Sequence, residues 1–213
     1  MTKLRRIAFS ALALALSSAA YFAAPTVAAY TAPAATDAAT VKVVLKTGHG
    51  SGVHIGNGFV LTAAHVAGDE KSVQLKTKDG QSRQADVLWI NNAYDIALLR
   101  TSPATLPAAH LDCAAVKAGS AIEAIGNPLA VEFVSSTGKI AGASREVGPW
   151  KSVYVTDITT VMGMSGGPVF SDGNLVGITV GVMGVPMGFT SSLVGFGFVV
   201  PSSDVCSLLG RAS

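Results

Sequence analysis

The chain has 213 residues, of which 49% are hydrophobic and 13% charged, so it can bury one large core or two small ones. Its formal charge is +2, but Lys3, Arg5 and Arg6 lie in a terminal stretch without acidic residues, and the remainder carries about −1 (+2 − 3). With no basic patch and no acidic run, the composition argues against a nucleic acid or a basic protein as the partner. Most of the 23 glycines stand in short spacers between apolar runs, which favours an all-β chain with many turns.

Residues 1–29 predict a secretory signal peptide. A positively charged start precedes an apolar run over 7–24, and Val27-Ala28-Ala29 has the small-x-small pattern of a cleavage site. The alternative is an uncleaved membrane anchor, although serines and Pro25 interrupt the run. We therefore expect a secreted or periplasmic protein without stable membrane association after cleavage. Residues 30–40 are rich in Ala, Thr and Pro and predict a flexible lead-in.

The region from about 41 to 101 predicts the first half of an all-β fold. Its two hairpin-type turns are Gly56-Asn57-Gly58 and Lys78-Asp79-Gly80. A single helical turn is expected at 63–67, directly after a strand. The six predicted strands span 41–46, 50–55, 59–62, 72–77, 83–90 and 96–100.

The second half is predicted to follow a linker at 102–118, which contains Pro103 and Pro107 and shows little pattern. Residues 189–194 are predicted to form a loop. Ser202-Ser203-Asp204 predicts the cap of a short C-terminal helix that runs through Leu209. The six predicted strands of this half, within about 119–210, span 120–125, 132–136, 151–156, 167–170, 175–180 and 195–200.

Three motifs carry residue types suited to nucleophilic catalysis. Gly163-Met164-Ser165-Gly166-Gly167-Pro168 places a serine among glycines, where the chain can turn tightly and backbone N–H groups can converge. Leu61-Thr62-Ala63-Ala64-His65 supplies a candidate base, and Asp95, after a turn at 91–94, supplies a candidate orienting carboxylate. The chain order His, Asp, Ser is one of the known orders of a serine triad.

These motifs resemble those of the trypsin-like serine proteases, and Thr156-Asp157, eight residues before Ser165, is similar to the bacterial HtrA-type branch. The resemblance covers about 41–201. It implies two six-stranded antiparallel β-barrels packed face to face, in a protease domain that spans 41–213 and needs no cofactor. HtrA-type proteins usually carry a PDZ-type peptide-binding module after this domain. None follows here, so we do not expect a chaperone-like role, and the oligomeric state stays open.

The resemblance also implies a role for each motif. Ser165 would attack a substrate carbonyl, His65 would accept the serine proton, and Asp95 would orient the imidazole. The backbone N–H groups of Gly163 and Ser165 would form the oxyanion hole. Met164 cannot pair with an ammonium group, so activation by a freshly cut N-terminus is not expected. The simpler alternative, a flexible Gly-Ser turn with an unrelated histidine and aspartate, requires three coincidences.

The resemblance further implies a substrate pocket and a polypeptide substrate. Thr159 stands where tryptic members carry an aspartate at the pocket base, so we expect cleavage after small or medium apolar residues rather than after Lys or Arg. A secreted pseudo-protease that acts as a binding protein is the second hypothesis, but all three triad residues are present. No repeat supports a structural protein. The pocket walls are predicted to be Thr159, Ile178, Thr179, Val180, Gly181 and Gly197.

The two cysteines, Cys113 and Cys206, are predicted to form a disulfide. The signal segment places them in an oxidising compartment, and a final helix could return past the first barrel to the linker. The alternative is two separate buried thiols. The remaining histidines have no zinc-ligand spacing, so no metal is expected, and we predict surface or loop positions for them. They are His49, His54 and His110.

Overall fold

The computed structural model describes residues 37–102, 106–187 and 190–210. The predicted signal peptide, most of the lead-in and Phe189 lie outside these residues. The described chain contains thirteen strands and two short helices, and neither helix is long and apolar enough to cross a membrane. The strands of the first half are β1 (Thr40–Leu45), β2 (Gly48–His54), β3 (Phe59–Thr62), β4 (Ser72–Thr77), β5 (Ser82–Asn91) and β6 (Ile96–Thr101). Those of the second half are β7 (Ala121–Gly126), β8 (Val134–Lys139), β9 (Arg145–Val147), β10 (Trp150–Thr156), β11 (Pro168–Ser171), β12 (Asn174–Met187) and β13 (Thr190–Pro201).

Strands β1 to β6 close into a barrel in the order β1-β2-β3-β6-β5-β4. Closure comes from β1, which pairs with β2 on one side and with β4 on the other. The side chains of Val41 and Val43 are fully buried, whereas Lys42 between them reaches the surface, as the two-residue period of a strand requires. The predicted six-stranded first barrel is therefore confirmed.

The second half is one seven-stranded sheet, in the order β8-β7-β11-β12-β13-β10-β9. The predicted second six-stranded barrel is wrong, because a seventh strand, β9, is present and the sheet does not close. The chain just after β8 contacts β10, because Ile140 forms an isolated bridge with Thr156 and the Ala141 N–H donates to the Val155 carbonyl at 2.8 Å. A single bridge does not make a ladder, so the sheet curls towards closure without completing it.

Strands β12 and β13 are much longer than predicted. They pair with each other from Gly177↔Pro201 as far as Met187↔Thr190. The described part of the predicted loop at 189–194 is thus strand. Gly184 and Pro186 interrupt the apolar alternation in the sequence, and such residues normally indicate a turn.

The helices are α1 (Ala64–Ala67) and α2 (Ser202–Leu208). Pro201 occupies the N-cap position of α2, and no side chain caps the helix. The predicted cap by Ser202-Ser203-Asp204 is therefore wrong, because these residues already form the first helical turn. The two cysteine sulfur atoms are bonded, with 5.7 Å between their Cα atoms, and they join α2 to the segment between the two halves.

One predicted surface histidine lies in the interior. His54 is 2% exposed, its Nδ1 lies 2.8 Å from the Pro107 carbonyl oxygen, and its Nε2 accepts a hydrogen bond from the Gly58 N–H. Both ring nitrogens are thus used for structure. His110 is exposed, as predicted, and His49 is half-buried.

Candidate active site

His65 lies on α1, the single helical turn after β3. The other three residues of the turn, Ala64, Val66 and Ala67, are buried, whereas half of the His65 side chain is exposed. The sequence therefore anchors the turn by its apolar residues and leaves the imidazole at the surface. The imidazole is thus held rigidly at the surface, where it can contact a substrate.

Asp95, in the turn before β6, holds His65 through two hydrogen bonds. The backbone N–H of His65 donates to Asp95 Oδ1 at 2.9 Å, and Nδ1 lies 2.7 Å from Oδ2. The Asp95 carbonyl also accepts the Ala64 N–H at 3.1 Å. Because the carboxylate needs a donor at Nδ1, it selects the tautomer whose Nε2 carries a lone pair. Such an imidazole can accept a proton at Nε2.

Asp95 has a third partner that the sequence did not indicate. The indole Nε1 of Trp150 donates to Oδ2 at 3.1 Å, and only 10% of the Asp95 side chain is exposed. Next to these residues lies a cleft of about 430 Å³. Its walls are His65, Asn92, Asp95, Pro149, Trp150 and Val180.

Ser165 lies in a tight turn that only glycines permit. Gly163 has φ +95° and Gly166 has φ +83°, in the left-handed region. A Cβ atom on Gly166 would collide with the carbonyl oxygen of Ser51 and lie 2.8 Å from the backbone nitrogen of Ala63. The turn therefore packs directly against the segment that leads into α1, which brings Ser165 to the same end of the molecule as His65.

The Ser165 hydroxyl makes no hydrogen bond to any described residue, His65 included. The Ser165 carbonyl, in contrast, is fixed, because it accepts the N–H of Ser51 at 2.8 Å. A serine hydroxyl rotates freely about its Cα–Cβ bond, and catalytic hydrogen bonds are often long before a substrate binds. The backbone is thus held in place while the hydroxyl is free to turn.

Two backbone N–H groups of this turn have no acceptor in the described part of the chain, those of Gly163 and Ser165. The Met162 carbonyl accepts the N–H of Leu129 at 3.0 Å. In a trans peptide the carbonyl and the N–H point in opposite directions, so the Gly163 N–H points away from Leu129. Two unpaired donors on one turn are what an oxyanion requires.

A buried network that sequence reasoning missed holds this turn from the other half of the protein. The Ser51 hydroxyl donates to the Gly163 carbonyl at 2.7 Å and accepts the backbone N–H of Asn127 at 2.9 Å. Ser51 and Asn127 are both fully buried. The only sequence signal for Ser51 was its position between Gly50 and Gly52 at the start of a predicted strand.

The predicted pocket residues separate into two groups. Val180 borders the cleft, and the Trp150 ring covers Gly181, where a Cβ atom would lie 2.6 Å from it. Ile178 and Thr179 are instead core residues, with 0% and 1% exposure. Both faces of β12 are covered at this point, so neither of their side chains reaches the cleft.

Thr159, the predicted pocket base, lies in the segment between β10 and the turn of Ser165. Its side chain is exposed, whereas Ile158 and Thr160 on either side are buried. A Cβ atom on Gly197 would lie 2.5 Å from Thr160 Oγ1 and 3.2 Å from Ile158 Cγ1, so these two residues face Gly197.

Two ion pairs join the loop between β7 and β8 to the first barrel. Glu132 accepts from Lys42 at 2.9 Å and from Lys76 at 2.7 Å. The two ammonium groups, that of Lys76 first, hold the pKa of the Glu132 carboxyl below its usual range. The same loop contains Leu129, which bonds the carbonyl of Met162.

Comparison with known proteins agrees with this geometry. Residues 50–178 match the family model of the trypsin-like peptidase domain. The chain is 31% identical over 170 residues to the periplasmic serine endoprotease DegP of Salmonella typhimurium, an alignment that covers 76% of this chain and 35% of that protein. It is 34% identical over 166 residues to the magnetosome formation protease MamE of Paramagnetospirillum magneticum, covering 73% of this chain and 22% of that protein.

Solved structures show the same fold. The HtrA-type protease AlgW with a tripeptide superposes with a TM-score of 0.73 at 25% identity, covering 84% of this chain and 63% of that one. The chain therefore spans 35% and 22% of the length of the two curated relatives named above and 63% of a protease of known structure. With the family model matched over more than half of its length, this chain belongs to the trypsin-like peptidase family.

Proposed function

We propose that the chain is a serine endopeptidase in which Ser165 is the nucleophile, His65 the general base and Asp95 the residue that orients His65. The observation that carries this proposal is the pair of hydrogen bonds from His65 to the Asp95 carboxylate, beside a glycine turn that presents Ser165. The family match gives it independent support, since relatives are named serine endoproteases.

The reaction begins when Ser165 Oγ attacks the carbonyl carbon of a peptide bond. His65 Nε2 takes the serine proton as the Oγ–C bond forms, and it later gives that proton to the leaving amine. Water then repeats the sequence to release the acyl group from Ser165. Throughout, the Asp95 carboxylate holds the Nδ1 proton and stabilises the positively charged imidazolium.

The negative charge of the tetrahedral intermediate falls on the former carbonyl oxygen. The unpaired N–H groups of Gly163 and Ser165 would bind it. Removal of one such donor typically costs about 2.7–4 kcal/mol of transition-state stabilisation. The peptide groups that carry these donors are already held, because the Met162 carbonyl accepts the Leu129 N–H and the Met164 carbonyl accepts the Gly167 N–H, so the donors need little reorganisation when the charge develops.

The substrate is a polypeptide cleaved after a small or medium apolar residue. This rests on the surroundings of Gly197, where the buried neighbours Ile158 and Thr160 leave little depth and carry no charge. A Lys or Arg side chain would lose its hydration there without finding a carboxylate. We also propose export to the periplasm or beyond, because residues 1–29 have the pattern of a signal peptide and a relative is periplasmic.

Hydrolysis of an unfolded protein by purified mature chain tests the function. The proposal expects cleavage by the wild type and a loss of at least about 10³-fold in Ser165→Ala and in His65→Ala, because triad residues act as a unit. A folded wild type that cleaves nothing, or a Ser165→Ala variant that cleaves at the wild-type rate, would overturn it. The first result would favour the pseudo-protease that binds a partner.

A further inference from the structure

We propose that Trp150 is a positioning residue of this site, which acts on His65 through the Asp95 carboxylate. Its indole N–H donates to Asp95 Oδ2 at 3.1 Å, and the same oxygen lies 2.7 Å from His65 Nδ1. In the described part of the chain, His65 and Trp150 are the only residues that donate to this carboxylate. The inference rests on the proposed function and deepens it.

Asp95 needs such a second donor because its backbone does not hold the carboxylate alone. Its φ is +56°, a left-handed conformation that is uncommon for a residue with a side chain. Both carboxylate oxygens bond to His65, one through the backbone N–H and one through the ring. Among the described residues, the indole is the one donor to the carboxylate that does not belong to His65. It can therefore hold the Asp95 carboxylate in place when His65 moves.

The indole itself is held by packing on the second sheet. The Trp150 ring lies 5.1 Å from the Phe198 ring, centroid to centroid, and presses on Gly181, where any side chain would displace it. Phe198 and Gly181 are paired residues of β13 and β12. The direction of the N–H is therefore set by the sheet, independently of the histidine.

The strand of Trp150 is also fixed to the turn that carries Asp95. The Lys151 N–H donates to the Ala93 carbonyl at 2.8 Å, and the Lys151 ammonium lies 5.6 Å from the centre of the Tyr94 ring. Val180, which also lines the cleft, is apolar and has no side-chain donor to offer the carboxylate. Trp150 thus joins the sheet that presents Ser165 to the barrel that presents His65.

The electrostatic consequence has a definite sign. A neutral N–H donor at Oδ2 withdraws part of the negative charge that the carboxylate presents to the imidazole. Without it, Oδ2 stabilises the imidazolium more strongly, so a higher pH is needed to obtain the neutral base. Of the ionisable side chains near this carboxylate, His65 bonds it directly and Lys151 lies against the Tyr94 ring, and neither is altered by a change in the indole.

The test replaces the indole by a ring of the same shape that lacks the N–H. Trp150 is exchanged for 3-benzothienylalanine, and in a second variant for phenylalanine (Trp150→Phe). We expect kcat to fall by about 3–10-fold with KM changed less than twofold. We also expect the pH midpoint of kcat/KM to move upward by about 0.3–1 unit, since only part of the strength of the hydrogen bond to Asp95 differs between the two protonation states of His65.

The matched control is Trp89→Phe. Trp89 is the other tryptophan of the chain and lies on β5, and its indole makes no hydrogen bond to a described residue. We expect its kcat and its pH midpoint to stay at the wild-type values. If the benzothienylalanine protein keeps the wild-type kcat and pH midpoint, the positioning role is refuted, while the activity of the wild type still supports the proposed function.

A readout that needs no turnover separates the two proposals. The His65 Nδ1 proton is followed by proton NMR in Ser165→Ala protein that has either the native Trp150 or 3-benzothienylalanine at this position. We expect its low-field resonance to shift and to exchange faster with water when the N–H is removed. An unchanged resonance would contradict the positioning role even if the wild type proved not to be a protease.

Discussion

Ser51 and Gly163 lie in different halves of the protein, and the hydroxyl of the first donates to the carbonyl of the second at 2.7 Å. The same hydroxyl accepts the Asn127 N–H, and the Ser51 N–H binds the Ser165 carbonyl. One buried serine of the first barrel thus fixes the orientation of two peptide groups in the turn of the nucleophile. This relationship makes the geometry of the proposed oxyanion hole depend on β2.

Ser51→Ala is expected to lower kcat by about 10–100-fold with little change in KM. The partly buried Gly163 carbonyl and the buried Asn127 N–H lose their partner, at a cost of about 1–3 kcal/mol in stability, and the turn is no longer held. Steady-state kinetics and urea unfolding measure the two effects. The control is Ser171→Ala, which removes a hydroxyl bonded to the Ala121 carbonyl at an exposed site. Equal kcat values for the two variants would contradict the role of Ser51.

Gly166→Ala is expected to prevent stable folding or to reduce stability by several kcal/mol. The new Cβ atom meets backbone atoms of Ser51 and Ala63, which cannot move aside, in addition to the cost of a left-handed residue. Gly80 has the same φ of +83° but open space around its Cβ position. Gly80→Ala should therefore lose only about 1–2 kcal/mol. Thermal unfolding of both variants gives the comparison, and similar losses would show that the turn does not pack as described.

Glu132 is expected to contribute to stability only at moderate and high pH. Lys76 and Lys42 hold its pKa below the usual range in the folded protein. A group with a depressed folded-state pKa stabilises the fold above its unfolded pKa, and this contribution is lost as the pH falls through the folded-state value. Glu132→Gln should thus be less stable than the wild type at neutral pH and equally stable at strongly acidic pH.

Urea unfolding of the wild type and of Glu132→Gln, from strongly acidic to neutral pH, measures the difference between their free energies of unfolding. Added salt should reduce it at neutral pH, because these side chains are partly exposed and ions screen their attraction. A difference that is independent of pH and of salt would mean that Glu132 contributes by packing and not by charge.

Removal of the disulfide is expected to destabilise the protein without changing the site. The bond links residues 93 positions apart, for which chain entropy gives at most about 4–5 kcal/mol. A Cys113→Ala, Cys206→Ala double variant should have a lower Tm, with kcat and KM within about twofold of the wild type. Intact-mass measurement on the unreduced wild type provides the control, and two thiols that alkylate without reductant would contradict the bond.

Sequence patterns were sufficient for most of the fold. The alternation of apolar residues placed all six strands of the first barrel within two residues, because each strand has one buried face and the turns between them carry Gly and Asp. The same reasoning underestimated the lengths of β12 and β13. Their hairpin extends past the core, where Gly184 and Pro186 interrupt the alternation although backbone pairing continues.

The site was predictable where its chemistry is concentrated in short motifs, as at His65 and in the turn of Ser165. It was not predictable where function depends on contacts between distant segments. Trp150 donates to Asp95 although 55 positions separate the two residues in the sequence. The sequence around neither residue indicates this contact. Thr159 was assigned by its position in the sequence, six residues before Ser165. Whether such a residue is exposed or buried depends on the path of the backbone from one position to the other.

The central claim is that Ser165 is an activated nucleophile, and covalent labelling tests it most directly. Mature wild-type protein is treated at pH 8 with a diphenyl phosphonate that carries a small apolar side chain, and the labelled peptide is sequenced by mass spectrometry. Our account predicts stoichiometric phosphonylation of Ser165 Oγ with release of phenol, and none in Ser165→Ala, in His65→Ala or in urea-unfolded wild type. A folded wild type that remains unlabelled, or a label on any other residue, would contradict it.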